Sequence, residues 1–412
     1  MVQPAASGRV LAWGVPLLAE AAALGRSVAL AWAIGPEELG RAMMLVLVAR
    51  MVEMASDLGI ERLIVQAPDG DSARFQAELH GAAVLRGGTL ALILLILAPV
   101  SATVFQDGPV TATYAALALV SLLRGAVHLD MRRAERQFSY MPMAIAEGGA
   151  TLVMLLVVGP AVWVFGDHRA IVIVLVAHAA TLAALSHTQS QRPYQLRISL
   201  CALDRIARFG APLIANGALL FLTFYADRMI VASAFDWTAL AIYGTCLQLA
   251  LLPSQIIGRA AGSLLLPRFR LAVTDGAIGS ATRAAMGAHL ILAGIFLVGF
   301  TMLAGPAIEF AYGAALRPDL ALALLLAAAA GFRILRTPLS QLAIASGRTK
   351  DPARANVLRV AALVPAALAA MSGLPLTALA AAAALGEAAA TMRAVFLAWP
   401  LLAEEQFKEV MA

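Results

Sequence analysis

The chain has 412 residues, of which 61% are hydrophobic and only 13% are charged. A soluble domain is about 45–50% apolar and about 25% charged, so this composition excludes an ordinary soluble protein and favours a polytopic membrane protein. The net charge of +5 is carried almost entirely by arginine, since Lys350 and Lys408 are the only lysines. The two cysteines, Cys201 and Cys246, have no spacing typical of a metal site or a disulfide framework.

Twelve hydropathic runs of spanning length follow one another along the chain. A spanning helix needs about 20 apolar residues, and the runs do not alternate as the strands of a membrane barrel would. The predicted spans are 10–34, 39–57, 83–105, 110–129, 141–164, 169–187, 210–235, 238–265, 285–308, 319–345, 355–372 and 375–400. The sequence therefore predicts an all-α polytopic membrane protein with about twelve transmembrane helices.

The basic residues fall mainly into alternate loops, beginning with the N-terminal segment. The segment 132–136 carries three arginines, for example, whereas the predicted outer loops hold only Arg41, Arg169 and Arg317. Cytoplasmic loops carry the excess of lysine and arginine in membrane proteins. This distribution predicts that both termini are cytoplasmic, and it gives no reason to expect nucleic acid as a partner.

A short sequence repeat relates the two halves of the chain. Residues 9–19 and 205–215 are identical at five of eleven positions, and both open a span from the predicted cytoplasmic side. Parallel repeats of this kind are one of the two architectures found in secondary transporters. The repeat predicts two six-helix lobes, 1–190 and 210–412, joined by a basic cytoplasmic linker over 191–209.

Several ionisable residues lie inside the predicted spans, where charge is costly and usually faces a cavity or a partner. From the helical rise, Arg26 and Arg50 lie about 13 and 16 Å below the outer surface, and Glu20 and Glu53 lie about 21–22 Å below it. Spacing of three and seven residues predicts that Glu53 and Asp57 share a helical face with Arg50. The second half contributes Asp227, Arg228, Arg333 and Glu387.

Two interpretations of these buried charges stay open. They form structural ion pairs, of which Arg50 with Glu53 is one, or they line a cavity that binds an anionic substrate. Guanidinium groups suit phosphate oxygens, so the second interpretation predicts a phosphate-bearing substrate. The predicted substrate-binding residues are Arg26, Arg50, Asp57, Asp227, Arg228 and Arg333, and the predicted coupling-ion residues are Glu20 and Glu53.

Other sequence features carry less chemistry. The sequence has no P-loop, no His-Glu-x-x-His motif and no Cys/His cluster, so no cofactor and no metal site are predicted. Pro16, Pro212, Pro253 and Pro338 are predicted to break their helices and permit hinging.

Some stretches resemble the bacterial polysaccharide flippases of the multidrug/oligosaccharidyl-lipid/polysaccharide exporter superfamily. The turn at 31–40, with Gly35-Pro36-Glu37, is similar to the turn between their first two helices, and Ser56-Asp57-Leu58-Gly59 looks like their segment closing helix 2. Further similar stretches are 225–228, 241–244 and 265–267. Arg26 matches the position of the first-helix arginine in the related lipid II flippase. The chain departs from the pattern at Trp32, where many polysaccharide flippases have arginine, and in having twelve spans where many have fourteen.

The resemblance implies a flippase in the bacterial inner membrane. It would translocate a polyprenyl-pyrophosphate-linked oligosaccharide for lipopolysaccharide or exopolysaccharide synthesis, by alternating access of two lobes among membrane lipids. It would not be an enzyme. The intramembrane carboxylates, and not the resemblance, predict H⁺ or Na⁺ as the coupling ion. Two alternatives stay open: a cation-coupled multidrug exporter of the same superfamily, and a polyprenyl-dependent membrane glycosyltransferase or polymerase in which Glu37 and Glu38 supply carboxylates.

Overall fold

The structure, a computed structural model, describes residues 6–104 and 111–411, apart from the side chains of residues 6–13, 16, 102 and 404–411. Parts of the first repeat copy at 9–19 and the predicted outer loop at 106–109 therefore lie outside the described residues. The described helices are α1 Ala6–Ala55, α2 Ile60–Gln66, α3 Ala73–Val104, α4 Thr111–Gly125, α5 Asp130–Glu135, α6 Met141–Phe165, α7 Arg169–Thr188, α8 Leu200–Phe224, α9 Ala226–Ala234, α10 Trp237–Asp275, α11 Ile278–Tyr312, α12 Leu320–Ala345, α13 Asp351–Ala361, α14 Leu363–Met371 and α15 Leu376–Met411.

The predicted all-α membrane fold of about twelve spans is confirmed. Within the described residues, 10 helices are long and apolar enough to cross a membrane, and the shorter α4 is also apolar. α1 covers two of the predicted spans. They are separated by a kink at Gly35, whose φ of 78° and ψ of 174° are not helical. Glycine adopts a positive φ readily, so the chain changes direction there at little conformational cost.

The chain divides into two compact units, unit 1 at residues 1–221 and unit 2 at residues 222–412. The lobes expected from the sequence repeat remain a prediction, since compactness alone does not define a functional lobe. Residues 200–209, which the sequence predicts as part of the linker, belong to α8.

Small residues allow the helices of unit 1 to approach closely. α6 packs on α7 and on α1, and α3 packs on α4. Gly87 of α3 and Gly125 of α4 face each other at the crossing, so that a Cβ atom built on Gly87 would lie 3.0 Å from Cα of Gly125. Association of helices in lipid depends on such close packing, because the lipid chains are as apolar as the side chains.

Unit 2 is organised around α12. This helix packs on α10, α11 and α15, and α15 also covers α13 and α14. The alanine-rich run 376–390 of α15 supplies small buried side chains, among them Ala380 and Ala390, that permit this packing.

The predicted helix breaks at proline are wrong for three of the four residues. α8 continues through Pro212, α10 through Pro253 and α12 through Pro338. Membrane helices tolerate proline where neighbouring groups and small adjustments satisfy the freed carbonyls. Pro16 has no described side chain.

One span of unit 2 is interrupted elsewhere. α8 ends and α9 begins at Tyr225, whose φ of −135° is not helical. α13 and α14 meet at Ala362, which keeps helical dihedral angles, so the two helices form one continuous candidate span. Pro365 lies three residues beyond this junction and lacks the N–H that would bond to the carbonyl of Ala361. The break at Tyr225 and the junction at Ala362 both lie at a cavity described below.

Candidate functional site

The first charged cluster lies in unit 1. Arg26, on the first segment of α1, donates from Nη1 to the sulfur of Met154 on α6 at 3.4 Å. No described carboxylate forms an ion pair with Arg26. Arg50 lies near enough for its charge to act on Arg26. The described surroundings of Arg26 therefore add positive charge instead of neutralising it.

Glu53 is the carboxylate of this cluster. It forms an ion pair with Arg50, with 3.5 Å between Nη1 and Oε2, and it also contacts Arg124 at the end of α4. His178 on α7 is close enough to Arg26, Arg50 and Arg124 to feel their charges. Unit 1 thus gathers three arginines around Glu53, and Glu147 on α6 lies near enough for its charge to act on Glu53 and Arg124. Arginines outnumber carboxylates in this cluster. Arg50 and Glu53 come together as the sequence predicts, whereas the contact with Arg124 was not predicted.

Asp57 and Glu20 do not join this cluster as expected. α1 ends at Ala55, so the prediction that Asp57 continues the face of Arg50 is wrong. Asp57 instead accepts hydrogen bonds from the backbone N–H of Gly59 at 2.8 Å and from Arg62 at 3.2 Å. These bonds order the turn before α2. Glu20 is exposed on α1, and no ion pair joins it to a described residue.

The second charged cluster lies in unit 2 around Glu387 of α15, which is only 4% exposed. Its Oε1 atom accepts from Nε and Nη2 of Arg333 at 3.0 and 2.6 Å. Arg359 reaches the same oxygen from α13 at 2.6 Å. Arg336 approaches Oε2 at 3.2 Å. One buried carboxylate therefore holds three guanidinium groups, and two positive charges are in excess.

A cavity of about 60 Å³ adjoins this cluster. Arg333, Arg359 and Glu387 form part of its wall, together with Phe224 and Asp227. The Phe224 ring lies under both guanidinium groups, 4.9 Å from Arg333 and 5.2 Å from Arg359. Arginine over an aromatic face is stabilised by the ring quadrupole, so Phe224 fixes the orientation of both groups.

The pair Asp227-Arg228, predicted to bind substrate, lies at the start of α9. Asp227 accepts a hydrogen bond from the hydroxyl of buried Tyr243 at 3.0 Å and from the backbone N–H of Arg228 at 2.8 Å. The guanidinium of Arg228 lies over the Tyr225 ring at 5.3 Å. The structure thus places Asp227 at the cavity together with Arg333, and Arg228 beside the helix break.

Three buried guanidinium nitrogens of unit 2 have no hydrogen-bond acceptor among the described residues. They are Nη1 of Arg333, Nη1 of Arg336 and Nε of Arg228. Buried polar groups are normally hydrogen-bonded, and an unpaired one is costly in a medium of low dielectric constant. Oε2 of Glu387 is also buried without a hydrogen-bond donor, so unpaired donors outnumber unpaired acceptors among these residues.

Sequence reasoning missed two members of this cluster. Arg359 lies in the predicted span 355–372 but was not among the predicted site residues, and its side chain is buried against Glu387. Arg336 lies three residues after Arg333, and this spacing on one helical face was the signal that could have identified it. Within the described part of the chain, no group of three or more His, Cys, Asp or Glu side chains could hold a metal ion.

The acidic pair of the first outer turn is engaged in local contacts. Arg41 donates to Glu37 at 2.8 Å and also contacts Glu38. Glu38 additionally accepts from the backbone N–H of His168 at 3.0 Å. These contacts tie the turn near Gly35 to the start of α7.

The fold is that of the transporter and flippase structures of the MOP superfamily. The chain aligns with the lipid II flippase MurJ in an inward closed conformation with a TM-score of 0.74 and 13% identity, over 95% of this chain and 87% of that one. It aligns with an inward-facing multidrug resistance MATE family transporter with a TM-score of 0.68 and 13% identity, over 93% and 94% of the two chains. A Vibrio cholerae MATE transporter gives 0.59 and 15% identity, over 96% of each chain.

Residues 29–318 match the family model described as polysaccharide biosynthesis protein. The chain therefore belongs to this family, as the resemblance in the sequence predicted. No curated protein matches the sequence.

Proposed function

We propose that the protein is a flippase that translocates a polyprenyl-pyrophosphate-linked oligosaccharide across the bacterial inner membrane by alternating access, and that it is not an enzyme. The proposed product serves lipopolysaccharide or exopolysaccharide synthesis. Membership of the polysaccharide biosynthesis family and a fold like that of MurJ support this choice.

The observation that carries the proposal is that no described carboxylate pairs with Arg26. Arg26 lies within a spanning helix, has a methionine sulfur as its polar partner, and has Arg50 as a charged neighbour. An uncompensated charge at membrane depth is costly and typically marks a substrate or ion pathway. A pyrophosphate would supply the missing negative charge, and the guanidinium group would form bidentate hydrogen bonds to its oxygens.

Translocation by purified protein tests this proposal. The full chain in liposomes should transfer labelled polyprenyl-pyrophosphate glycan between leaflets. Arg26→Ala should lower the rate by about a hundredfold, because hydrogen bonds to a charged group are worth about 1.5–3 kcal/mol each. The rate of Arg26→Lys should lie between those of the wild type and Arg26→Ala, since lysine keeps the positive charge but lacks the planar guanidinium.

Arg208→Ala is the matched control for Arg26→Ala. Arg208 is exposed on the same unit and pairs only with Asp204 one helical turn away among the described residues. This variant should translocate at the wild-type rate. If Arg26→Ala translocates at the wild-type rate, Arg26 does not bind the substrate. If the wild type itself does not translocate the glycan, the flippase proposal is wrong.

A cation-coupled multidrug exporter is the second candidate, because the MATE transporters share the fold. The charge of the two clusters argues against it, because each holds more arginines than carboxylates and an excess of positive charge repels cationic drugs. Overexpression in a drug-sensitive bacterium separates the two. The flippase proposal expects no change in drug susceptibility.

A membrane glycosyltransferase or polymerase is the third candidate. It would need Glu37 or Glu38 as an acid or base, yet both carboxylates are held by Arg41. The variants Glu37→Gln and Glu38→Gln separate these functions. A flippase should keep its translocation rate in both, whereas an enzyme should lose product formation.

A further inference from the structure

The cavity of unit 2 lies where the span formed by α8 and α9 is interrupted. Phe224 and Asp227 come from the two sides of this break, and Arg359 and Leu363 line the cavity from either side of the junction of α13 with α14. Discontinuous helices in transporters expose backbone groups and helix ends to bound substrates and ions. The geometry at this break is therefore typical of a binding site, and the cavity lies inside one unit.

One of the freed backbone groups already has a charged partner. Thr223 lies in the last turn of α8, where carbonyl groups lack a helical donor. Its oxygen accepts a hydrogen bond from Nη2 of Arg359 at 3.1 Å. This bond and the bond to Glu387 fix the guanidinium of Arg359 at the cavity wall.

The charges around the cavity do not balance. Four arginines, counting Arg228 beside the break, face two carboxylates, Asp227 and Glu387. Nη1 of Arg333 is buried without an acceptor. The remainder of the wall is largely apolar, with Leu247, Leu251 and Ala366 among its side chains. Apolar walls lower the local dielectric constant and strengthen the field of the excess positive charge.

We propose that this cavity binds a phosphate group, and that Glu387 is the internal anion that holds the arginines when the phosphate is absent. Arg333 and Arg359 would bind the phosphate oxygens, because their planar forks match that geometry. Binding would draw both guanidinium groups away from Oε1 of Glu387, the oxygen that they now share.

The size of the cavity limits the ligand. One water molecule needs about 10–15 Å³ of such volume, so the observed cavity accommodates a few waters or one tetrahedral oxyanion. The site is defined by its arginines and is proposed whether or not the transported lipid is the one proposed above. Free phosphate and the phosphate of a lipid headgroup share the required chemistry.

Thermal unfolding of the purified full chain in detergent tests the proposal. Inorganic phosphate would be titrated against sodium methanesulfonate at constant ionic strength. A ligand that binds only the folded state raises the transition midpoint in a saturable way. The wild type should show this rise with phosphate and not with methanesulfonate.

Two lysine variants should weaken the response of the midpoint to phosphate, and a third variant should strengthen it. Arg333→Lys and Arg359→Lys should weaken the apparent phosphate affinity by about tenfold each, because they keep the charge but lose the fork. Glu387→Gln should be less stable without phosphate and should bind it about tenfold more tightly, because the internal competitor is gone. Arg317→Gln, which breaks an exposed pair with Glu309, is the control and should match the wild type.

A second arm identifies the source of the phosphate. Phosphatidic acid would be added in mixed micelles before inorganic phosphate is titrated. If the lipid raises the transition midpoint and inorganic phosphate then has no further effect, a lipid headgroup occupies the cavity. An unchanged effect of inorganic phosphate in its presence assigns the site to the free anion. Either result keeps the site.

Two results would overturn the inference. One is a wild-type midpoint that does not respond to phosphate beyond methanesulfonate. The other is an equal response to phosphate in the wild type and in both lysine variants. This comparison can be made even if Glu387→Gln does not fold. Because these measurements need no transport, failure here leaves the flippase proposal untouched, and failure of translocation leaves this site untouched.

Discussion

At the scale of single residues, two glutamates show how partners decide the role of a buried charge. Glu53 is partly exposed and is shared by Arg50 and Arg124. Glu387 is buried and is shared by three arginines. Removing a partner from a fully buried pair leaves an uncompensated charge, whereas a partly exposed pair can exchange partners with solvent or ligand. Glu53 is therefore the better candidate for a group that changes its ionic partner during transport.

The first residue-scale prediction concerns this exchange. We expect substrate pyrophosphate to compete for Arg50 and free Glu53 to bind H⁺ or Na⁺. The hypothesis that coupling lies in the N-terminal half rests on the repeat, in which Asn216, which cannot titrate, is the counterpart of Glu20. Glu53→Gln should abolish the response of translocation to the pH or Na⁺ gradient that drives the wild type.

Imposed gradients in proteoliposomes provide the measurement. Glu61→Gln is a suitable control, because Glu61 is an exposed carboxylate that pairs with Arg132. It should keep the gradient response. A Glu53→Gln protein that still responds fully would show that the Arg50–Glu53 pair is structural.

At the scale of helices, the spacing of small residues decides which elements can approach. Gly87 and Gly88 are neighbours in α3, yet only Gly87 faces α4. A Cβ atom on Gly87 would lie 2.8 Å from the carbonyl oxygen of Ser121, whereas a Cβ atom on Gly88 would meet nothing within 4 Å. The two positions therefore form a matched pair within one helix.

We predict that Gly87→Ala destabilises the protein by about 1–3 kcal/mol, because the added methyl group overpacks a backbone contact. Gly88→Ala should be neutral or stabilising by up to about 1 kcal/mol, because alanine has the higher helix propensity. Unfolding of the purified variants in detergent measures both. Equal stability of the two variants would contradict the close crossing of α3 and α4.

At the scale of the whole molecule, residues 191–199 are held against unit 1 by a polar network. His80 contacts the carbonyl oxygen of Gln195 at 3.2 Å, and His128 contacts that of Arg192 at 3.0 Å. Asp130 accepts from the backbone N–H of Gln191 at 2.8 Å. The segment predicted as part of a basic cytoplasmic linker therefore packs as part of unit 1.

The titration of this network has a defined direction. Burial, reinforced by the nearby His187, lowers the pKa of His128 below its ordinary value. Burial by itself raises the pKa of Asp130, but the hydrogen bonds from Arg133, the N–H of Gln191 and Gln76 outweigh it and lower this pKa. His128 therefore favours the folded state when neutral, and Asp130 favours it when ionised.

We predict that mild acidification loosens residues 191–199. As the pH falls through about 6.5, an exposed imidazole takes up a proton that folded His128 resists, so local stability decreases. The contribution of Asp130 is lost only at lower pH, as the pH falls below about 3.9 and through its depressed folded value. Hydrogen exchange, corrected for its intrinsic pH dependence, should show reduced protection of this segment near pH 5.

Two comparisons make this prediction specific. His128→Gln should show a smaller change with pH, and α12, which contains no histidine, should keep its protection throughout. Protection of residues 191–199 that is unchanged between neutral and mildly acidic pH would refute the prediction.

The amino-acid sequence by itself determined the membrane class, the all-α fold of about twelve spans and the polysaccharide biosynthesis family. Hydropathy is a sum over about twenty neighbouring residues, and family motifs such as the turn at 31–40 are local, so both can be read without knowing the packing. The sequence also identified Arg26, Arg50, Glu53 and Glu387 as intramembrane charges, because depth follows from helical rise.

The tertiary structure alone decided which of these charges meet. Arg124 joins Glu53, and Arg359 joins Glu387, across distances in sequence that no helical period relates. Asp57 does not lie on the predicted face because the helix ends before it, and the helix break of unit 2 lies at Tyr225 instead of at a predicted proline. Ion pairs and breaks of this kind depend on which helices pack together, since buried polar groups take whatever partner the neighbouring helix supplies.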